Sequence, residues 1–308
     1  MELTEKISFL KKVLKDCWLC PQQCHIDRTQ GELGFCRLPA KIIMDCALPH
    51  HGEEPPLSGT GGAGTIFFSS CNLRCIYCQN YQISHQVEGQ ELDPPALAQV
   101  MLDLQKRGCH NIDAVTPTPQ TPLIMEALLL AREQGLKIPF IYNCGGYESP
   151  SIIKMLDKMV DIYLPDFKYG IAEDGAEFSG VFDYPRYALD SLKEMVRQLG
   201  DGLEMENGLA KRGVIVRHLV LPGKLENSKE VFRLIKKEIS TSVTISLMSQ
   251  YTPIDKVRNH PLLGRRITAE EYQQVLDYAL DLGFDNLFIQ EVSDIELTPD
   301  FASDKPFG

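Results

Sequence analysis

Long apolar runs are missing from this 308-residue sequence. No window approaches the roughly 18 uncharged apolar residues that would indicate a transmembrane helix, so no membrane association is expected. The first residues, MELTEKISFLKKVLKD, carry charges throughout and lack the apolar core of a signal peptide. We therefore expect a cytoplasmic protein.

Positive charge is also scarce, with 31 Lys and Arg against 42 Asp and Glu and a net charge of −11. This balance opposes sequence-independent binding to a phosphate backbone, so no nucleic-acid partner is expected. A small molecule or another protein is the expected partner. Low-complexity tracts are absent too, and the length is enough to bury a large core, as one barrel or as two domains.

Cysteine, by contrast, is plentiful, with ten residues in the chain. A reducing compartment discourages disulfides, and a chain of this length does not need them for stability, so metal binding is the expected use. Two groups stand out, at Cys17, Cys20, Cys24 and Cys36 and at Cys71, Cys75 and Cys78. The remaining Cys46, Cys109 and Cys144 are predicted to be small buried hydrophobic residues.

From residue 60 onward, short β-rich apolar runs alternate with helical segments. The predicted strands are TIFF (65–68), IDAV (112–115), FIYN (140–143), DIYL (161–164), GVIVRHLVL (213–221), TISLM (244–248) and LFIQ (287–290). The predicted helices lie near 94–107, 122–134, 150–158, 187–199, 228–239 and 268–282. Repeated β–α units imply a parallel sheet, so the predicted fold class is α/β, a full or partial (β/α) barrel whose chemistry lies at the carboxyl ends of its strands. A doubly wound open sheet is the alternative.

Three regions are predicted along the chain. Residues 1–59 form an N-terminal helix and a cysteine-rich, metal-binding extension, 60–290 the barrel and 291–308 a C-terminal tail. The extension is expected to pack on the barrel, because a piece this small would need metal to fold alone.

The second cysteine group lies in SSCNLRCIYCQN (69–80), directly after the first predicted strand. A four-iron cluster has four irons to ligate, so three thiolates leave one iron open. An open coordination position is what a catalytic metal needs. Zinc is the alternative, with His85 or a distant cysteine completing a tetrahedron.

The C-x3-C-x2-C spacing of CNLRCIYC, with Tyr77 before the last cysteine, resembles the cluster motif of the radical S-adenosylmethionine (SAM) superfamily. From about residue 15 to 283 the chain resembles the pyruvate formate-lyase activating enzyme-like branch of that superfamily. The stretches that carry this resemblance are GTIFFSSCNLRCIYCQNYQIS, VTPTPQTP, YNCGGYES, DIYLPDFKY, RHLVLPG and MSQYTP.

The resemblance implies a barrel of the radical SAM type and a catalytic [4Fe-4S] cluster on Cys71, Cys75 and Cys78, with SAM on the open iron. It implies an oxidoreductase in which a reductant such as flavodoxin or ferredoxin drives cleavage of SAM to a 5′-deoxyadenosyl radical. That radical would abstract hydrogen from a protein glycine, a peptide or a small molecule. The alternative function is a non-catalytic metal-stapled scaffold or an iron-dependent sensor, in which both cysteine groups are structural.

The resemblance also places SAM-binding residues at the ends of predicted strands. VTPT stands where many superfamily members carry Gly-Gly-Glu for the SAM amino group, so Thr116 and Thr118, or nearby backbone carbonyls, would have to substitute. Asp166 and Lys168 resemble an Asp-x-Lys beside the SAM carboxylate and ribose, and Arg217 resembles an arginine facing that carboxylate. Further candidates for the wall of the cofactor site are Tyr77, Asn143 before two glycines, Gln250 and Tyr251. A local salt bridge or helix cap is the alternative for each polar residue.

The first cysteine group, CWLCPQQCHIDRTQGELGFC (17–36), has the spacing C-x2-C-x3-C-x11-C. Four sulfurs form a complete tetrahedral set, which suits structural zinc or a closed [4Fe-4S] cluster. His25 is an alternative ligand. We expect a bound metal here, with zinc slightly favoured over an auxiliary cluster.

Two other motifs resemble binding sites but are not expected to bind a ligand. GTGGAG (59–64) resembles a phosphate-binding loop, but it precedes a strand and lacks a following Gly-Lys-Ser/Thr, so it predicts a turn. His50 and His51, next to Glu53 and Glu54, lie on an extended segment where neighbouring side chains point opposite ways. That segment is predicted to be a loop near the SAM site.

Overall fold

The computed structural model describes residues 2–293, 298–303 and 305–307. The strands are β1 Ile42–His50, β2 Ala63–Phe68, β3 Gln90–Leu92, β4 Ile112–Val115, β5 Phe140–Cys144, β6 Ile162–Pro165, β7 Leu203–Glu206, β8 Leu209–Leu219, β9 Thr244–Met248 and β10 Leu287–Ile289. The helices are α1 Leu3–Val13, α2 Pro55–Ser58, α3 Tyr81–Ser84, α4 Pro94–Lys106, α5 Thr121–Glu133, α6 Pro150–Met155, α7 Ala172–Ser179, α8 Tyr184–Leu199, α9 Leu225–Glu238 and α10 Ala269–Asp281. Short 3₁₀ turns cover Arg28–Gln30, Thr118–Gln120 and Asp255–Val257.

The parallel strands follow one another in chain order across the sheet. The order is β10-β9-β8-β6-β5-β4-β2-β1-β3, and every pair from β2 to β10 on this path is parallel. A doubly wound sheet would reverse its strand order at a switch point, so the doubly wound alternative is wrong. The α/β prediction is confirmed in its partial-barrel form, since β10 and β2 do not pair along the sheet path described.

Local sequence explains these elements. All residues of β2 are buried, as expected for an interior parallel strand covered on both faces. At the start of α4 the Asp93 carboxylate accepts a hydrogen bond from the Ala96 N–H at 2.8 Å, and prolines fill the first helical positions. Thr268 and Glu271 form a capping box at the start of α10. Most predicted helices and strands are therefore found within a few residues of their expected bounds.

The antiparallel strands are not among those that the sequence predicts. β1 pairs with β2, β3 pairs with β1, and β7 pairs with β8. The turn between β7 and β8 is Asn207-Gly208, both with positive φ, which is the strongest short hairpin signal a sequence offers. Because this turn brings residue 209 directly into the hairpin, β8 starts four residues before the predicted 213–221 strand.

The N-terminal residues are attached to the barrel in two ways. α1 contacts α5 and α6, and the Lys6 ammonium donates to the Asp157 carbonyl at 2.6 Å. β1 forms part of the same sheet as the barrel strands. The division into 1–59, 60–290 and 291–308 stays a prediction, and residues 1, 294–297, 304 and 308 of the outer regions lie outside the described residues.

No helix of the described residues combines the length and apolar character that crossing a bilayer requires.

The loop after β5 packs against the residue that follows β6. Gly146 has φ +78°, and a Cβ added there would overlap the backbone carbonyl oxygen of Asp166. Gly208 has a nearly identical φ of +79°, but a Cβ added there would meet no other atom within 4 Å. The two glycines therefore separate the effect of conformation from the effect of close packing.

We expect Gly208→Ala to lower the free energy of unfolding by about 1 kcal/mol, from backbone conformation alone. Gly146→Ala should cost at least about 2 kcal/mol more, because the backbone at Asp166 must also shift. Urea unfolding of both variants measures the difference. Equal losses would show that the close approach at Gly146 is unimportant.

Candidate active site

One cavity of about 330 Å³ lies at the carboxyl ends of the parallel strands. That volume is within the range of small-molecule sites. Its wall includes the three cysteines of the 69–80 stretch and most of the polar side chains predicted for a cofactor site. These lining residues are Cys71, Cys75, Tyr77, Cys78, Thr116, Asn143, Asp166, Lys168, Arg217 and Gln250.

The three-cysteine loop follows β2 directly. Its backbone takes the left-handed conformation at Ser70 and Arg74, with φ of +76° and +54°. The Ser70 N–H donates to the Ile83 carbonyl at 2.7 Å, which ties the start of the loop to α3. Two uncommon non-glycine conformations within five residues indicate a loop held in one shape by its surroundings.

The thiols of this loop are desolvated. Burial, reinforced by the charge of Cys75, raises the pKa of Cys71 to about 12. Burial likewise raises the pKa of Cys78. Thiolate ligation at this loop therefore requires the positive charge of a bound metal group.

The donor set fits a four-iron cluster. Three sulfurs border one cavity, and each thiolate of a cluster ligates a different iron. Among the residues described, no three His, Cys, Asp or Glu side chains form a ready site for a single metal ion. The ligands of a cluster do not need to converge on one point, because they bind several different irons.

Asp166 and Lys168 form an ion pair in the cavity wall. The Lys168 ammonium lies 2.5 Å from the Asp166 Oδ2, and both side chains are about one-fifth exposed. Burial would lower the pKa of Lys168, but the negative charges of Asp166 and Cys75 outweigh it and raise the pKa well above its usual value. The cavity therefore contains a permanent cation beside a carboxylate, which suits a ligand carrying both charges.

Arg217 borders the cavity but is bound to acidic side chains. Its guanidinium donates to both carboxylate oxygens of Glu54, at 2.8 and 2.6 Å, and also to Glu53. Burial favours the neutral form of Glu53, yet the Arg217 charge and the His50 hydrogen bond lower its pKa. The predicted contact of Arg217 with a SAM carboxylate stays a prediction, and the observed partners are the two glutamates.

A second acidic group lies buried behind the cavity wall. Asp113 on β4 is fully buried, and burial together with the charge of Glu53 raises its pKa well above the usual value. Its Oδ2 accepts a hydrogen bond from the Asn143 amide at 3.3 Å. Asn143 lines the cavity and Asp113 does not, so this bond holds the predicted site residue Asn143 from behind at the end of β5.

The two threonines of VTPT differ in position. Thr116 lines the cavity with φ +58°, an outlier for a β-branched residue, and its N–H donates to the Asn143 carbonyl at 2.8 Å. Thr118 is buried and lies outside the cavity lining, with its hydroxyl donating to Glu148 at 2.7 Å. Of the two candidates, the structure brings only Thr116 to the cavity.

The remaining candidates divide in the same way. Tyr77 and Gln250 line the cavity, and the Gln250 carbonyl accepts a hydrogen bond from Gln79 at 2.7 Å. Tyr251 is buried away from it, with its hydroxyl donating to the Leu263 carbonyl at 2.7 Å. Among the isolated cysteines, Cys109 and Cys144 are buried as predicted, whereas Cys46 is only half-buried.

The segment of His50 and Glu53, which is predicted to be a loop near the site, does line the cavity, although His50 is the last residue of strand β1. His50, Gly52 and Glu53 reach the cavity because β1 runs beside β2, and His51, on the other side of the strand end, is exposed, as the predicted alternation requires. Phe307 also lines the cavity and was not predicted. Its ring packs on His50, with centroids 4.4 Å apart, and the sequence carries no signal for this contact.

The four N-terminal cysteines surround a second, smaller cavity, which Asn72 also lines. Gln22 donates to the Asn72 carbonyl at 2.9 Å, and the Ser70 hydroxyl donates to the Cys36 carbonyl at 2.5 Å. His25 bonds Asp16 at 2.9 Å and does not line this cavity. The two cysteine groups are therefore joined by hydrogen bonds next to Cys71.

We expect Arg217→Met to lower the free energy of unfolding by about 3–5 kcal/mol at pH 7, because two buried glutamates lose their partner. The folded-state pKa of Glu53 is below its ordinary 4.5, so its stabilising contribution is present above pH 4.5 and is lost as the pH falls. The difference between wild type and variant should therefore shrink on acidification.

Denaturant unfolding across pH 3 to 7 measures this effect. Arg197→Met is the matched control, since Arg197 also binds a carboxylate through two nitrogens but is more than half exposed. It should change stability little at any pH. An Arg217→Met loss no larger than that of the control would contradict the buried network.

The comparisons with known proteins agree with the motif. A family model described as the radical SAM superfamily matches residues 65–171, which contain the three-cysteine loop. An uncharacterized protein of Methanocaldococcus jannaschii is 30% identical over 292 residues, 91% of this chain and 80% of that protein. The pyruvate formate-lyase-activating enzyme of Clostridium pasteurianum is 23% identical over 206 residues, 64% of this chain and 78% of that enzyme.

Among solved structures, methylornithine synthase is similar at a TM-score of 0.48 and 14% identity. The match covers 71% of this chain and 61% of that one. The sequence relatives and the family model, together with three cysteines of the motif on one cavity wall, establish the family. The chain belongs to the radical SAM superfamily.

Proposed function

We propose that this protein cleaves SAM reductively at a [4Fe-4S] cluster held by Cys71, Cys75 and Cys78 and uses the radical to abstract hydrogen from a substrate. The observation that carries the proposal is the shared cavity. Three thiols, the Asp166–Lys168 ion pair and the strained Thr116 border the same space at the carboxyl ends of the strands. Barrel enzymes of this type place their chemistry at that end.

When bound, the cluster with SAM on its open iron supplies a 5′-deoxyadenosyl radical after one-electron reduction. The chain's own residues provide binding and position. Lys168 offers a cation to the SAM carboxylate, while Asp166 accepts from ribose hydroxyls. Asn143 and Gln250 offer amides to the adenine, and the apolar Phe67 and Leu73 in the wall help to exclude water.

A glycine of a partner protein is the proposed hydrogen donor, on the strength of the similarity to the pyruvate formate-lyase-activating enzyme. A fold and a cofactor site do not fix the substrate, so a peptide or a small molecule is the second candidate. Incubating the reduced protein with SAM and pyruvate formate-lyase tests the first candidate. A glycine-centred radical in the EPR spectrum supports it, and SAM cleavage without that radical favours another substrate.

The first cysteine group is proposed to hold a second metal. Cys17, Cys20, Cys24 and Cys36 line one small cavity, and four thiolates complete the coordination of zinc or of a closed [4Fe-4S] cluster. Because the described residues hold no ready site for a single ion, zinc requires the four sulfurs to draw together on binding, whereas a cluster spreads its ligands over four irons. The same four ligands leave no position for SAM. The proposed role is therefore structural for zinc, or electron transfer for a cluster. A flavodoxin or ferredoxin as reductant and a cytoplasmic location stay predictions.

Cys75→Ala should abolish dithionite-driven formation of 5′-deoxyadenosine from SAM, because a cluster ligand is lost, while the fold remains. The assay follows iron, sulfide and 5′-deoxyadenosine in anaerobically reconstituted protein. Cys109→Ala is the matched control, since Cys109 is a buried thiol outside both groups. Retained cleavage by Cys75→Ala would refute the proposed function. Wild type that binds metal without cleaving SAM would support the scaffold or sensor alternative.

Cys24→Ala should remove the second metal, seen as the loss of one zinc or of about four irons per chain in elemental analysis. Because Ser70 and Asn72 bond the N-terminal segment, we also expect weaker retention of the cluster at Cys71. Cys46→Ala, a half-buried thiol outside both groups, is the control. Unchanged metal content in Cys24→Ala would show that the N-terminal thiols bind no metal.

A further inference from the structure

Each thiol of the three-cysteine loop has a hydrogen-bond donor nearby. The backbone N–H of Leu73 points to the Cys71 sulfur at 3.4 Å, and the Ser84 hydroxyl lies 3.2 Å from the Cys78 sulfur. The Ser179 hydroxyl lies 2.9 Å from the Cys75 sulfur. Leu73 and Ser84 lie two and six residues from the cysteines they contact, whereas Ser179 is 104 residues from Cys75.

Ser179 is the last residue of α7 and belongs to a buried chain of hydroxyls. Its oxygen lies 2.7 Å from the Tyr169 hydroxyl, which in turn lies 2.8 Å from the Tyr77 hydroxyl. Ser179, Tyr169 and Tyr77 are 6%, 0% and 5% exposed, so water does not compete for these contacts. The chain runs from the Cys75 sulfur to Tyr77 in the cavity wall.

A metal-bound thiolate fixes the direction of this chain. Each hydroxyl carries one proton, and a ligated sulfur can only accept. The Ser179 proton must then point to Cys75, which makes Tyr169 the donor toward Ser179. The Tyr169 hydroxyl, whose one proton the two contacts share, is also the donor toward Tyr77, so Tyr77 accepts and adds no donor to the chain. Hydrogen bonds aligned head to tail in a buried site strengthen one another.

We propose that Ser179, held by Tyr169, raises the reduction potential of the cluster by donating a hydrogen bond to the Cys75 sulfur. The inference rests on the proposed function, because it requires the cluster. Reduction adds negative charge to the cluster and its thiolates, so a donor stabilises the reduced state more than the oxidised one. Ser179 acts on the sulfur directly, while Tyr169 is a positioning residue that acts through it.

The test is an equilibrium redox titration of reconstituted full-length protein, following by EPR the cluster signal that responds to SAM. Ser179→Ala should lower the midpoint potential. At a fixed solution potential the ratio of reduced to oxidised cluster should fall by up to about tenfold, which is about 59 mV for a one-electron couple. Tyr169→Phe should give a smaller shift in the same direction, because Ser179 loses its own donor.

Two controls separate tuning from a general loss of structure. Ser179→Thr keeps the hydroxyl and should restore most of the wild-type potential. Tyr163→Phe removes an equally buried tyrosine hydroxyl, which donates to Gln198 at 2.8 Å and not to the sulfur of Cys71, Cys75 or Cys78, and should leave the potential unchanged. Iron and sulfide contents confirm that each variant carries the cluster.

Cluster-loaded Ser179→Ala with the wild-type potential would overturn the proposed tuning and leave the proposed function standing. A shift as large in Tyr163→Phe as in Tyr169→Phe would also overturn it. A wild-type protein with no SAM-responsive cluster would overturn the proposed function and the tuning together.

Discussion

Burying charge at the carboxyl edge of the sheet is the constraint on which this site depends. A buried charge needs a partner or is neutralised. Lys168 is paired with Asp166, and Arg217 is paired with Glu53 and Glu54. Burial raises the pKa of Asp113 well above its usual value, which favours its neutral form. The thiols of Cys71 and Cys78 also stay protonated while no cation compensates them. A bound cluster supplies that compensation, and the ion pairs around it are already satisfied within the protein.

The repeating part of the fold could be predicted from the sequence, because each β–α unit carries its own apolar period. The bounds of β4 and β9 follow directly from IDAV and TISLM. Strand β1 could not be predicted in this way, because its sequence IIMDCALPH does not alternate between apolar and polar residues and contains a proline. Its place beside β2 is a tertiary contact, and without it the approach of Glu53 to Arg217 across 164 positions is invisible. The charged residues of the motifs could therefore be predicted from the sequence, but the oppositely charged side chains that pair with them could not.

The same limit applies to the sulfurs. Spacing identified Cys71, Cys75 and Cys78 as a set, but not the groups that bond to them. α7, with the polar sequence AEDGAEFS, gave little helical signal, and Ser179 at its end reaches Cys75 only through the packing of the barrel. The N-terminal segment reaches the loop from the other side, through Gln22 and the Cys36 carbonyl. The loop is thus held by two distant parts of the chain, which limits how far a change of cluster charge can move it.

Thr116 is the clearest departure of this cavity from the SAM site that the family resemblance implies. The family resemblance places VTPT where many superfamily members carry Gly-Gly-Glu, and this chain has neither the glycines nor the carboxylate. A β-branched residue at φ +58° is strained, and strain of this kind persists where the surrounding structure holds it and clusters at ligand sites. The Asn143 carbonyl holds the Thr116 N–H in place, and both residues border the cavity. A turn that keeps a left-handed backbone without glycine beside the thiols is best explained by the position it gives to Thr116. The SAM amino group would then be met by oxygen atoms of this turn in place of a glutamate.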